Sequence, residues 1–241
     1  MNPATAQRLL ALNRQFYTDR GRDFSATRQR LQTGVQRVLD SLRGDETILD
    51  LGCGNGELAR ALSRRNHRGS YLGLDFSLPL LIEAGREDFA FSARFAQADI
   101  AHFAPTEYGL LNTGSWSLIT AFAVLHHIPS FDMRLNIAKD VHRLLKSNGL
   151  FIHSNWQFLN SPRLKGRIQL WDAIGLTAQD VDRNDYLLDW KRGGLGLRYV
   201  HHFDEAELTS LAKASEFEIV ESFYSDGENK RLGLYQIWKK G

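Results

Sequence analysis

The segment ILDLGCGNG, residues 48–56, constrains this chain more than any other. A short apolar run holding one acid, Asp50, ends in three glycines spaced two apart, Gly52, Gly54 and Gly56. Glycine allows a sharp strand-to-helix turn and lets a ligand approach the backbone closely. Such a turn fits an open parallel sheet that binds its ligand beyond the carboxyl ends of the strands. A dinucleotide fingerprint needs a third glycine where Glu57 stands, and a carboxylate there would repel a pyrophosphate. A phosphate loop needs Gly-Lys-Ser/Thr, which the sequence lacks here. The loop therefore suits a nucleoside ligand without phosphates.

The surrounding pattern agrees with that sheet. Strand-like runs at 47–51, 71–75, 94–99, 117–123 and 150–155 alternate with helical runs at 57–65, 78–87 and 132–146. The third strand is the weakest, and an Asn148-Gly149 turn leads into the fifth. This alternation predicts an α/β fold with a doubly wound, mostly parallel sheet covered on both faces. Upstream, residues 4–20 and 26–43 read as helices, with Leu31, Val35, Val38 and Leu42 at helical spacing. Residues 157–200 break the alternation with an irregular, Trp-containing stretch, the natural candidate for a substrate cap. A helix at 204–215 and strands at 217–224 and 232–238 follow, the two strands forming an antiparallel hairpin at the sheet edge. The chain thus divides into a helical arm (1–44), a ligand-binding core (45–156), a cap insertion (157–203) and a C-terminal segment (204–241) that completes the core.

Composition narrows the setting. Cys53 is the single cysteine, which excludes an internal disulfide and fits a reducing compartment. No run approaches the roughly 18–20 apolar residues of a membrane span. Arg8 and Arg14 come too early for a secretory core. The expectation is a cytoplasmic protein with no membrane partner. The net charge of +2 predicts no partner by itself. Its distribution is uneven: residues 1–44 carry eight arginines against three aspartates, so a polyanion would meet the arm first.

Two acids after the glycine loop add to the ligand reading. Asp75, 23 residues after Gly52, ends the second strand, where an acid accepts hydrogen bonds from ribose hydroxyls. Asp99, followed by Ile100, ends the third, where a carboxylate either receives an adenine amino group or caps the next helix. Cys53, flanked by glycines, reads as a small packing residue rather than a nucleophile.

In order and spacing these features resemble the S-adenosylmethionine site of class I methyltransferases. The resemblance implies a seven-stranded Rossmann-like sheet with a reversed final hairpin and S-adenosylmethionine as cofactor. Asp50, Gly52, Gly54, Asn55 and Gly56 would face its methionine end, and Asp75 the ribose. Phe76, Ser77, Asp99, Ile100 and Ala121 would complete the cofactor pocket.

Three further segments narrow the likeness: DFSATR at 23–28, VLHHI at 124–128, and the late pair DWK at 189–191 with RYVHHF at 198–203. With the glycine loop they resemble the tRNA wobble-uridine methyltransferases that esterify a 5-carboxymethyl group, including the domain fused to AlkB-type oxygenases. Leu125, the Ser147-Asn148-Gly149 turn and Asn229-Lys230-Arg231 depart from that pattern, and 157–190 match it poorly. The likeness implies a tRNA acceptor, with a small zinc-binding protein as a possible activating partner. It assigns Arg28 to clamp the acceptor carboxylate, for which a bidentate guanidinium is suited. His127 would orient that carboxylate. Were the acceptor a hydroxyl or amine, His126 or His127 would serve as general base, and either histidine alternatively caps the next helix.

Trp156, Arg198, Tyr199 and His201 are further candidates for substrate binding. Arg198 suits a phosphate or carboxylate, and Tyr199 either stacks on a base or packs the cap. The cluster Arg163, Lys165, Arg167 meets an RNA backbone or forms a solvated face. Two other readings stay open: a methyltransferase of a small metabolite or carboxylic acid, and a protein that binds S-adenosylmethionine only to support a partner complex.

Overall fold

The computed structural model describes residues 1–26, 30–102, 113–190 and 196–241, and of 21–26 the backbone alone. Strand β1 (Thr47–Leu51) lies at the centre, parallel to β2 (Ser70–Asp75) on one side and β4 (Trp116–Phe122) on the other. With β3 (Ser92–Gln97), β5 (Leu145–Trp156), β9 (Phe217–Ser225) and β10 (Gly233–Lys240), the sheet runs β3-β2-β1-β4-β5-β10-β9. β10 is antiparallel to both of its neighbours, as the hairpin prediction required. The strand order reverses direction between β1 and β4, the point where doubly wound sheets open a crevice.

Alternating residues of these strands feed two cores. Leu49, Leu51, Ile119, Phe151 and Trp238 pack against α5 (Phe131–Leu144) and α7 (Glu205–Ala214). Ile48, Tyr71, Leu118, Ile152 and Tyr235 face α2 (Thr33–Asp40) and α3 (Glu57–Arg64). The faintness of β3 in the sequence has a simple cause: it is an edge strand, and no residue along it is fully buried. β5 begins earlier than expected. Leu145 pairs with Trp116 before Asn148, at φ +61°, and pairing resumes with Leu150 against Leu118.

The arm also differs from expectation. Its first helix, α1 (Pro3–Ala26), extends six residues beyond 20, and α2 begins only at Thr33, after an extended Gln32. α1 packs on the cap and on α4 (Leu78–Ala84).

The cap is more ordered than its sequence suggested. After α6 (Pro162–Lys165), β6 (Ile168–Gln169), β7 (Asp185–Trp190) and β8 (Gly196–His201) form an antiparallel sheet of their own. These strands carry buried Asp185, Asp189, Arg198 and His201, which mask the apolar run by which strands are recognised.

Candidate active site

The glycine loop leaves β1 with Gly52 at φ +73° and Gly54 at φ +55°, conformations that favour glycine. A Cβ on Gly52 would also sit 2.5 Å from Val124 Cγ2, whereas Gly54 faces open space. The Gly52 and Cys53 amides donate to the Leu74 carbonyl, at 2.7 and 3.0 Å, locking the loop to β2. Cys53 is buried against Gly73, and burial pushes its thiol pKa well up, as befits a packing residue.

Beyond this loop a cleft of about 250 Å³ opens between the sheet and α1. Asp50, Gly52, Gly54, Asn55, Asp75, Phe76, Asp99, Ile100 and His127 all line it. Asp75 is held by two amides: Gly54 N–H donates to Oδ2 at 2.9 Å and Ser77 N–H to Oδ1 at 2.8 Å. Burial raises its pKa, and those amides oppose the rise. A carboxylate offers about four acceptor sites, so capacity remains for a ligand. Asp50 is buried and accepts from Tyr71 and Thr120, yet burial still pushes its pKa up to about 6. Such a carboxylate favours a cation beside it. Asp99 is already engaged: its Oδ2 pairs with Arg14 from α1 and with His102 Nδ1, and its Oδ1 accepts from Ala101 N–H. The capping alternative is therefore realised at Oδ1.

The histidines after β4 part company. His127 lines the cleft, while His126 is buried behind it and accepts from the Trp156 amide at 3.2 Å. The wall between them and β4 turns at Ala123, held at φ +59° with its amide donating to Ser154.

Several expected residues lie elsewhere. Gly56 caps α3 against Ala84, and Ser77 is buried, acting on the cleft only through its amide bond to Asp75. Ala121 is wholly buried in the sheet core; Phe122, Ala123 and Val124 form the cleft wall instead. Tyr199 and His201 correct the sequence reading. Tyr199 is 0% exposed and donates its hydroxyl to Asp185 at 2.7 Å, so no base can stack on it. His201 is buried between Asp185 and Glu207, at 2.7 and 2.9 Å, and binds the cap together. Trp156 packs on Phe158 and under Arg198 rather than lining the cleft. Arg163 and Lys165 are exposed on α6. Arg28 lies outside the described residues.

Residues that the sequence did not single out complete the cleft. Leu10, Asn13, Arg14 and Tyr17 of α1 roof it. Their one signal was spacing, at three- and four-residue steps along a helix, which reads equally as core.

With this geometry in view, the likeness to known proteins is informative. Residues 24–222 match the family model described as a methyltransferase domain. The chain belongs to that methyltransferase family. A relative named "Putative methyltransferase ECU09_1500", from Encephalitozoon cuniculi, is 28% identical over 86% of this chain and 87% of its own. The trans-aconitate 2-methyltransferase of Deinococcus radiodurans is 34% identical across 34% of this chain and 28% of its own. Among solved structures, a SAM-dependent methyltransferase of Methanosarcina mazei shares the fold, with a TM-score of 0.65 and 22% identity. That likeness covers 85% of this chain and 96% of the other.

The protein is a SAM-dependent methyltransferase, and the cleft fits the cofactor on its own evidence. Gly54 leaves room against the backbone, Asp75 retains acceptor capacity, and the buried Asp50 carboxylate, its pKa raised by burial, is stabilised by a cationic ligand. When bound, the cofactor supplies a methyl group made electrophilic by its sulfonium. Among the described residues, no helix is long and apolar enough to cross a membrane.

Proposed function

We propose that this methyltransferase esterifies a carboxylate, with the 5-carboxymethyl group of a tRNA wobble uridine as its acceptor. The observation that carries this reading is Arg198. It is 4% exposed, its Nε has no hydrogen-bond partner, and no carboxylate pairs with it among the described residues. The rings of Trp156, Phe16 and Trp190 surround its guanidinium at 4.8, 5.4 and 5.6 Å. Aromatic faces offset part of the cost of burying a cation, but an anion offsets more. Burial lowers the pKa of Arg198, and Tyr17 beside it supports the charge. Tyr17 in turn lines the cleft with His127. An acceptor carboxylate entering there would bring the missing charge towards Arg198.

The chemistry is consistent with this demand. A carboxylate is ionised at neutral pH and needs no general base. The protein has to align it with the methyl group and exclude water. The wobble-uridine acceptor itself rests on the sequence likeness at 23–28, 124–128 and 198–203. Arg28 belongs to this proposal as a second carboxylate clamp. A second reading, a free carboxylic acid as acceptor, is favoured by the Deinococcus relative, whose name states an acid substrate.

Transfer of labelled methyl to tRNA bearing 5-carboxymethyluridine, to the same tRNA lacking it, and to trans-aconitate separates these readings. Methylation of the first alone, weakening steeply with salt, supports the tRNA acceptor. Methylation of the free acid without RNA supports the second reading. If S-adenosylhomocysteine binds but no acceptor turns over, even with a co-purified zinc-binding partner, the protein serves a complex rather than this reaction.

A further inference from the structure

We propose that Tyr17 is a positioning residue for methyl transfer: its hydroxyl fixes the His127 imidazole and pins α1 over the cleft. The inference rests on the methyltransferase activity and not on which acceptor is used.

The tautomer of His127 follows from its neighbours. Nδ1 lies 3.3 Å from the Tyr199 carbonyl, which can only accept, so Nδ1 carries the proton. Nε2 is then the acceptor, and the Tyr17 hydroxyl, 2.8 Å away, donates to it. On its other side the Tyr17 oxygen faces Arg198, whose charge it supports. A chain of polar contacts thus runs from the buried guanidinium through the phenol and imidazole to the backbone of β8.

The ring of Tyr17 also spans the cleft. Its centroid is 6.0 Å from Phe76, which follows the cofactor acid Asp75, and 5.4 Å from His127. One turn earlier, Asn13 donates to the carbonyls of His127 and Tyr199, both at 3.1 Å, and accepts from the Tyr199 amide at 2.8 Å. These bonds fix the rotation of α1, so Tyr17 projects to the junction of cofactor cleft, β4 turn and cap. In-line displacement loses rate steeply when its walls are misplaced or wet. A hydroxyl that locks the roof to the histidine lining that wall therefore governs turnover more than cofactor binding.

The test is Tyr17→Phe, which keeps the ring and removes the bond. Calorimetric affinity for S-adenosylhomocysteine should stay within about twofold, while kcat on the acceptor used by the wild type falls at least tenfold. The pH at which His127 takes up its proton should also shift from the wild-type value, because its Nε2 loses the phenol partner. Among the described residues, the charged and titratable groups packed against His127 include Tyr17 from α1 and His126, 4.3 Å away ring to ring, with Arg198 from β8 beside Tyr17. Arg14, Arg30, Asp50, Glu57, Asp75 and Asp99 line the same cleft. The variant removes the Tyr17 hydroxyl and leaves every other one of these side chains in place. Histidine-ring NMR, with His127 assigned by His127→Asn, reads the titration without any acceptor. A failed acceptor assignment thus leaves this arm intact. An unmoved titration, wild-type kcat, or loss of S-adenosylhomocysteine binding together with turnover would each overturn the proposal.

Discussion

Tyr71 donates its hydroxyl to Asp50 Oδ2 at 2.7 Å, from the strand beside it, while Thr120 donates to Oδ1 at 2.7 Å from the other neighbour. Both oxygens of this central carboxylate are held, yet burial and the nearby Asp75 still push its pKa up to about 6. A cationic cofactor beside Asp50 would lower that value and expel the proton. Calorimetry of S-adenosylmethionine binding at pH 6, in buffers of different ionisation enthalpy, should show release of up to about half a proton. Asp50→Asn should abolish the release. Proton uptake, or equal heats in both buffers, would place the cation elsewhere.

The same shift bears on stability. The folded pKa lies above the ordinary 3.8, so the folded state binds the proton more tightly than the unfolded chain. Its contribution is present at low pH and is lost as pH rises from about 3.8 through about 6, by roughly 3 kcal/mol. Urea unfolding across that window should show less decline in Asp50→Asn than in the wild type.

Asp75 joins the glycine loop to β2 through the Gly54 amide and would join both to the ribose. Asp75→Ala should weaken S-adenosylhomocysteine binding by about 1.5–3 kcal/mol, the range for hydrogen bonds to a charged group. Asp75→Asn, which keeps an acceptor oxygen, should lose less. Unchanged calorimetric affinity in the alanine variant would remove Asp75 from the ligand.

What could be read from the sequence followed from how each residue is buried. β1, β2 and β4 are covered on both faces, so their apolar runs were plain, and the glycines and acids at their ends marked the crevice. Asp50, Asp75 and His127 were legible for that reason. The roof was not, because Asn13 and Tyr17 sit in a helix whose pattern is that of any packed helix. Tyr199 and His201 misled because polar residues near a functional motif look like ligands, whereas here both are satisfied by Asp185 inside the cap.

That shared bonding makes Asp185 a structural linchpin. Its Oδ1 accepts from both Tyr199 and His201, and its Oδ2 accepts from the Asp182 amide at 2.9 Å. Asp185→Ala would strand the buried Tyr199 phenol and leave the His201 imidazole held by Glu207 alone. A loss of about 3–5 kcal/mol is expected, the cost of removing one partner from a buried charged network. The midpoint of urea unfolding should fall accordingly. A shift under about 1 kcal/mol would mean that the cap repacks without it.

Gly52 and Gly54 share a left-handed backbone but not the same surroundings, so alanine at each should fail differently. At Gly54 the added methyl meets nothing within 4 Å, and the expected cost is conformational, about 1–2 kcal/mol. At Gly52 the same strain is joined by overlap with Val124 Cγ2 at 2.5 Å, and overpacking adds about 1–3 kcal/mol. Gly54→Ala should therefore remain folded while losing S-adenosylhomocysteine affinity, because the methyl projects into the space a ligand needs. Gly52→Ala should lose stability first, and pairing it with Val124→Ala should restore part of the loss. Equal unfolding midpoints for the two single variants would show that Val124 yields freely, and that strain alone sets the cost at both positions.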